Sequence, residues 1–301
     1  MKKILIFSFL FILLSLSLFA QKEDLFKFKH DKYGQMLSNS VLINDKVKAN
    51  VRIFGIKTVI LIDSAFYYNN IKLLNGKTSA EADSSHANIG IYVNKPFAKG
   101  TIKLGRYTIC RCDIEIRPIQ GCDIAVPMSC LRIENEDSSV VAVNMLKREI
   151  KVMGTNSYSN NPKYRCFNFA MPFMGAPIIS GPIHFFNRDM RSTGFEGVFE
   201  LNAHTPNFLY LYMYRPRVRD FYYSNLKHFY MGNARYVVNN KIAAQGFHAF
   251  NCSFGKINSS NCYVVIYGKG RPRSVDGTLG SAFFKQHHVV FDFKAQKVYI
   301  K

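Results

Sequence analysis

The sequence predicts an all-β protein made of two weakly similar lobes with a cleft between them. Three observations carry that expectation. Apolar runs of about four to eight residues, rich in Val, Ile, Tyr and Phe and bounded by Gly, Asn and Asp, recur through the body of the chain. Long amphipathic helices are absent, and one order of segments occurs twice. With 301 residues, 48% hydrophobic and 14% aromatic, the chain has ample apolar side chain for one large core or two modest ones.

Residues 1–20 read as a secretory signal peptide: Lys2 and Lys3, an apolar run from Ile4 to Leu18, then Phe19-Ala20 before the polar Gln21-Lys22-Glu23-Asp24. The run is short for a membrane anchor, and no later stretch reaches transmembrane length. The mature protein is therefore expected to be exported, in the periplasm, at the outer surface or secreted, as a bacterial-type protein. Loss of the two lysines takes the formal charge from +20 to +18, an excess that favours an anionic surface partner. The Lys and Arg are dispersed, so a solvated surface without a dedicated ligand accounts for them equally well. The densest basic and aromatic cluster is Tyr212-Met213-Tyr214-Arg215-Pro216-Arg217-Val218-Arg219. Stacking with phosphate pairing is open to such a cluster, but no nucleic-acid motif surrounds it, and no specific nucleic-acid partner is expected.

Seven cysteines, an odd number, lie after residue 20: Cys110, Cys112, Cys122, Cys130, Cys166, Cys252 and Cys262. Export permits disulfides. Cys110 and Cys112 share a strand face and are badly placed to bond each other, whereas Cys252 and Cys262 flank the turn-like Gly255 to Asn261 and form the candidate bridge. The single Cys-x-Cys lacks a second pair at structural zinc spacing, so neither metal nor cofactor is expected.

In order, Val51 to Ile62 reads as a hairpin turned at Gly55. Ile89 to Val93 and Thr101 to Ile116 read as strands around Gly100 and Gly105, and Val237 to Ala249 and Cys262 to Tyr267 as later strands. Gly154 to Pro182, with Asn, Ser, Gly and four prolines, reads as a linker. The lobes are then residues 25–153 and 178–301, joined by 154–177, each a usual size for a small β domain. The end of the chain, SVDGTLGSAFFKQHHVVFDFKAQKVYIK from Ser274, is a glycine-interrupted strand, a short helical turn over Ser281 to Gln286, and a hairpin from Val289 to Ile300.

This last order, hydrophobic-Asp-Gly-x-Leu-Gly, short helix, Val-Val-x-Asp-Phe, turn and strand, resembles the closing segment of an aspartic-peptidase lobe, as in the pepsin-like and retropepsin-like families. The resemblance implies a two-lobed pepsin-like aspartic-peptidase fold. It also implies an upstream apolar strand running into Asp-Thr/Ser-Gly, braced by the segment around the second glycine. Two places answer: Val59-Ile60-Leu61-Ile62-Asp63-Ser64-Ala65, and Val198-Phe199-Glu200-Leu201-Asn202-Ala203-His204. Each is followed by its own closing segment. Cys122 to Pro127 with Val141 to Val152 lies under Val275 to Gly280 with Val289 to Ile300, offset by a five-residue insertion within Ile133 to Ser139.

In the family the two lobes each give one Asp, the pair shares a proton, and a held water attacks the peptide carbonyl. Carried over, Asp63 and Ser64 are the first-lobe residues, and Asn202 takes the second Asp's place without its proton chemistry. Ala65, Ala203 and His204 depart from the remaining loop positions. Gly277 and Gly280 brace the second loop, and Pro127 stands where the first lobe would have the bracing glycine. These departures point to a non-hydrolytic descendant that holds an extended peptide or protein segment in its cleft by strand-like pairing. Two alternatives stay open: an acid endopeptidase using Asp63, with His204 as an improvised partner, and a cationic surface-interaction protein. Two lobes in one chain leave no need for a second copy, so a monomer is expected. Neither a Gly-x-Ser-x-Gly elbow, a phosphate-binding glycine loop nor His-Glu-x-x-His occurs, which sets other enzyme classes aside.

Overall fold

A computed structural model of the chain describes residues 22–30, 36–54, 59–72, 91–92, 95–136, 139–172, 176–203, 205–225, 229, 231–238, 241–268 and 274–301. The leader read at residues 1–20, Gly55 and His204 lie outside the described residues. The chain is all-β, and its described residues form a nine-stranded sheet in the first lobe and a 13-stranded sheet that runs through a shared platform into the second. Helices are short: Ser64–Phe66, Pro216–Asn225 and Ser281–Gln286. Among the described residues no helix is long and apolar enough to cross a membrane.

The platform is six antiparallel strands in the order Glu23–Lys27, Glu149–Met153, Val140–Asn144, Val289–Asp292, Lys297–Ile300 and Arg165–Ala170. Its centre is the pairing of Val140 to Val143 with Asp292 to Val289, so the two repeated segments meet each other in the middle of one sheet. Strand alternation divides each strand between two environments. Val141, Val143, Ile150, Val152, Val289, Phe291, Val298 and Ile300 enter the main core. Val140, Ala142, Met153, Val290 and Tyr299 form a smaller cluster on the other face, covered by Tyr158 and Tyr164. Arg165–Ala170, inside the stretch read as a linker, is the platform's last strand. Its alternation does not show in the sequence because only Phe169 is buried, although its first four residues pair with Lys297–Ile300 and its last two with Ile178–Phe186.

Two tight hairpins follow the glycines that the sequence marks. Lys95–Leu104 pairs with Thr108–Ile116 through Gly105 at φ 74°, and Lys241–Phe254 pairs with Ile257–Tyr267 through Gly255 at φ 57°. Gly100 lies within a strand, opposite Cys112, rather than at a turn. The second lobe is packed with phenylalanine: Phe185, Phe199, Phe247, Phe254, Phe283 and Phe284 are all buried. Each contributes about 1.5–3 kcal/mol of burial free energy.

Val51 to Ile62 is not a hairpin. Val47–Phe54 and Val59–Ile62 do not pair with each other; both flank Ile124–Pro127, the first parallel to it and the second antiparallel. The strand that separates them arrives some 60 residues later in the chain, so local pattern cannot reveal it.

Candidate functional site

The same three-strand arrangement occurs once per lobe. A leading arm lies parallel to a short middle strand and a trailing arm lies antiparallel on its other side. The first lobe uses Val47–Phe54, Ile124–Pro127 and Val59–Ile62. The second uses Ser192–Leu201, Gly277–Leu279 and Leu209–Tyr212. Each trailing arm also runs parallel to an outer strand, Thr108–Ile116 or Ile257–Tyr267.

One aspartate opens each middle strand and makes the same bonds. Asp123 Oδ2 accepts Asn50 N–H at 2.7 Å, and Asp276 Oδ2 accepts Val198 N–H at 2.9 Å. The backbones of these pairs close the ring, Asp123 N to Asn50 O at 2.9 Å and Asp276 N to Val198 O at 2.8 Å. Their carbonyls then receive the trailing arms: Asp63 N donates to Asp123 O at 2.8 Å, and Tyr212 N to Asp276 O at 3.0 Å. Asp123 is half-buried, while Asp276 is 1% exposed and is neutralised by Arg215 Nε at 3.0 Å, with Arg217 at 3.8 Å. Sequence order aligned Asp123 with Asp276, but the Arg215 partnership was hidden because the two residues are 61 positions apart.

These bonds fix which residues correspond. Ile62 and Leu211 oppose Ile124 and Gly277 across the trailing arms, while Val51 and Phe199 oppose the same two residues across the leading arms. Asp63 therefore corresponds to Tyr212, and Asn202 corresponds to Phe54, which pairs with Pro127. Matching Asp63 with Asn202 is thus corrected: one ends a trailing arm and the other follows a leading arm. An apolar run ending in a polar residue occurs in both arms, and only the distant middle strand distinguishes them.

Asp63 caps the Ser64–Phe66 turn. Its Oδ1 accepts Phe66 N–H at 3.0 Å and its Oδ2 accepts Ile119 N–H at 3.1 Å, so both carboxylate oxygens are engaged by backbone donors of its own lobe. Ser64 is half-buried and Ala65 exposed, both within that turn. Asn202 is buried, as is Ala203; the Asn202 N–H donates to Leu279 O at 2.9 Å, and its carbonyl accepts Thr205 N–H at 3.2 Å.

The glycines that begin and immediately follow the second middle strand are required by space. A Cβ on Gly280 would meet Asn207 O at 2.2 Å and Thr205 O at 2.4 Å, and one on Gly277 would meet Tyr210 O at 2.4 Å. Gly280 N donates to Phe208 O at 2.9 Å, Ser281 N to Thr205 O at 2.6 Å and Ser281 Oγ to Pro206 O at 3.0 Å. Residues 205–208 are thereby clamped. In the first lobe Pro127 occupies the corresponding place, buried and lacking an N–H to give.

A buried polar ladder crosses the second motif. Tyr212 Oη and Thr278 Oγ1 are 2.8 Å apart, and Thr278 Oγ1 donates to Glu200 Oε2 at 3.1 Å, linking trailing arm, middle strand and leading arm. Tyr212, the counterpart of Asp63, spends its hydroxyl on this ladder. The alternation of the two arms is the only sequence signal for it.

Cys252 and Cys262 are free thiols, buried and in contact, rather than a bridge. The turn between them is only Gly255-Lys256. Cys252 therefore faces Ser259 across the ladder and Cys262 faces Ala249, a three-residue offset that takes them out of cross-strand register. Among the described residues no cluster of three or more His, Cys, Asp or Glu is placed to hold a metal ion.

No family model and no curated protein matches the sequence. Solved structures do match the arrangement. Soybean basic 7S globulin is similar over 93% of this chain and 95% of its own, at TM-score 0.55 and 9% identity. The aspartic proteinase from Irpex lacteus is similar over 93% and 97%, at 0.50 and 9%. The protein edgp is similar over 94% and 95%, at 0.54 and 11%. The fold is pepsin-like and two-lobed. At these identities the likeness is one of fold, and the chemistry rests on the residues of this chain.

Proposed function

We propose that the protein is an exported, non-hydrolytic member of the pepsin-like fold that holds an extended peptide segment between its lobes. The observation that carries this reading is the inequivalence of its candidate acids. Equivalent positions pair Asp63 with Tyr212 and Phe54 with Asn202, so neither set offers the two carboxylates that must share a proton to activate water. Asp63, the remaining acid, is in addition committed to two backbone N–H groups. Loss of the acid pair removes the hydrolytic step without touching backbone pairing, the means by which an extended segment is held against strands.

The test is binding of a diverse pool of unstructured peptides to the purified protein at low and high salt. Retention of a definable peptide class, changing less than about 3-fold between 50 and 500 mM salt, is expected for strand-like pairing. Sequence-independent retention that collapses with salt would replace this reading with that of a cationic surface-interaction protein.

A further inference from the structure

Away from both three-strand motifs, the outer face of the platform carries a cavity of about 380 Å³. Its floor is the small side chain of Ala142, next to Asn144. One wall is aromatic and already ordered. Tyr158 and Tyr164 meet edge to face at 5.1 Å, both rings contact His288 at 5.6 and 5.8 Å, and Tyr164 Oη lies 2.7 Å from His288 Nδ1. The segment bearing this wall is fixed by Asn156, which donates to Asp292 at 3.0 Å and accepts Tyr158 N–H at 3.0 Å.

The rest of the rim is cationic. Lys147, Lys151 and Lys301 line the cavity with one carboxylate, Glu149. Glu149 is paired with Lys27, and Lys151 with Glu23 at 2.6 Å. Among the described residues no carboxylate side chain is paired with Lys147 or Lys301. His288 has its pKa pushed down by burial first and by the Lys301 and Lys147 charges next, against a smaller upward pull from Glu149.

We propose that this cavity binds a sugar-sized ring carrying one anionic group, a carboxylate or a phosphate ester. The aromatic wall would receive the ring and Lys147 and Lys301 the anion. The volume fits one such unit, and aromatic lining with a few convergent charges is how small polar ligands are held. This site is independent of peptide binding between the lobes.

Calorimetric titration of the purified protein at low salt with glucuronate, glucose 6-phosphate, glucose and inorganic phosphate tests it. At least one charged sugar should bind about 10-fold or more tightly than both glucose and inorganic phosphate, and the better of the two charged sugars identifies the anion. The double variant Lys147→Gln/Lys301→Gln should weaken that binding about 10-fold with unfolding temperature unchanged, since both side chains are exposed. Tyr158→Leu, which keeps apolar cover over the platform, should weaken it as well. Equal binding of glucose or of inorganic phosphate, indifference to the lysine variant, or no binding of either charged sugar would overturn the proposal.

Discussion

Asp63 shows how an acid at the end of an apolar strand can serve structure instead of chemistry. As an N-cap it contributes about 1 kcal/mol, so Asp63→Ala should lower stability by that amount in urea denaturation. No change would remove the cap from the account. Gly280→Ala drives a methyl into the carbonyl oxygens of Thr205 and Asn207, and a loss of about 1–3 kcal/mol is expected. His287 is buried against Ser259 Oγ at 2.7 Å, and burial holds its pKa below the ordinary value. A lowered histidine pKa means that the neutral form is favoured on folding. Its contribution is present above the unfolded pKa of about 6.5 and is lost as pH falls through the lower folded value. Thermal unfolding followed from pH 7 to 5 should therefore decline less steeply in His287→Asn than in the parent, and parallel curves would contradict this. Gly277 and Gly280 were legible as residues that a close approach demands. The partners of Asp63 were not, because the Ile119 N–H comes from 56 positions away.

At the scale of elements, the two motifs reuse one aspartate device at different depths. Asp123→Ala exposes a lost bond to water, whereas Asp276→Ala empties a buried carboxylate site and leaves half-buried Val198 N–H and Arg215 without their partner. The expected losses are about 1 and about 3 kcal/mol respectively, read from the denaturation midpoints of the two variants. Equal losses would mean that burial of Asp276 adds nothing. The closing segment was legible almost strand for strand: Gly277–Leu279, Ser281–Gln286, Val289–Asp292 and Lys297–Ile300 all follow its glycines, polar turn and apolar runs. Val51 to Ile62 was legible as two strands and illegible as a pairing. Alternation reports which residues are buried and is silent on which strand covers them.

For the whole molecule, the repeat seen in residue order becomes a pseudo-symmetric pair of lobes whose closing segments pair at the platform centre. Val141, Val143, Val289 and Phe291 are each fully buried there, which makes the platform common to both lobes. Phe291→Ala should cost about 3–5 kcal/mol and lower amide protection in both lobes together. Loss confined to one lobe would show that the platform does not couple them. The two-lobed architecture was readable because both copies keep the order of their segments. Correspondence between the copies was not, because leading and trailing arms look alike until the middle strand is placed. That correspondence leaves no pair of carboxylates at the ends of the arms, where Asp63 answers to Tyr212 and Asn202 to Phe54. The most direct check is mass-spectrometric analysis of a diverse peptide pool incubated with the purified protein between about pH 3 and 8, beside an Asp63→Asn control. No cleavage by folded protein at any pH is the expected result. Cleavage that disappears in the control would restore Asp63 to a catalytic role and contradict the non-hydrolytic account.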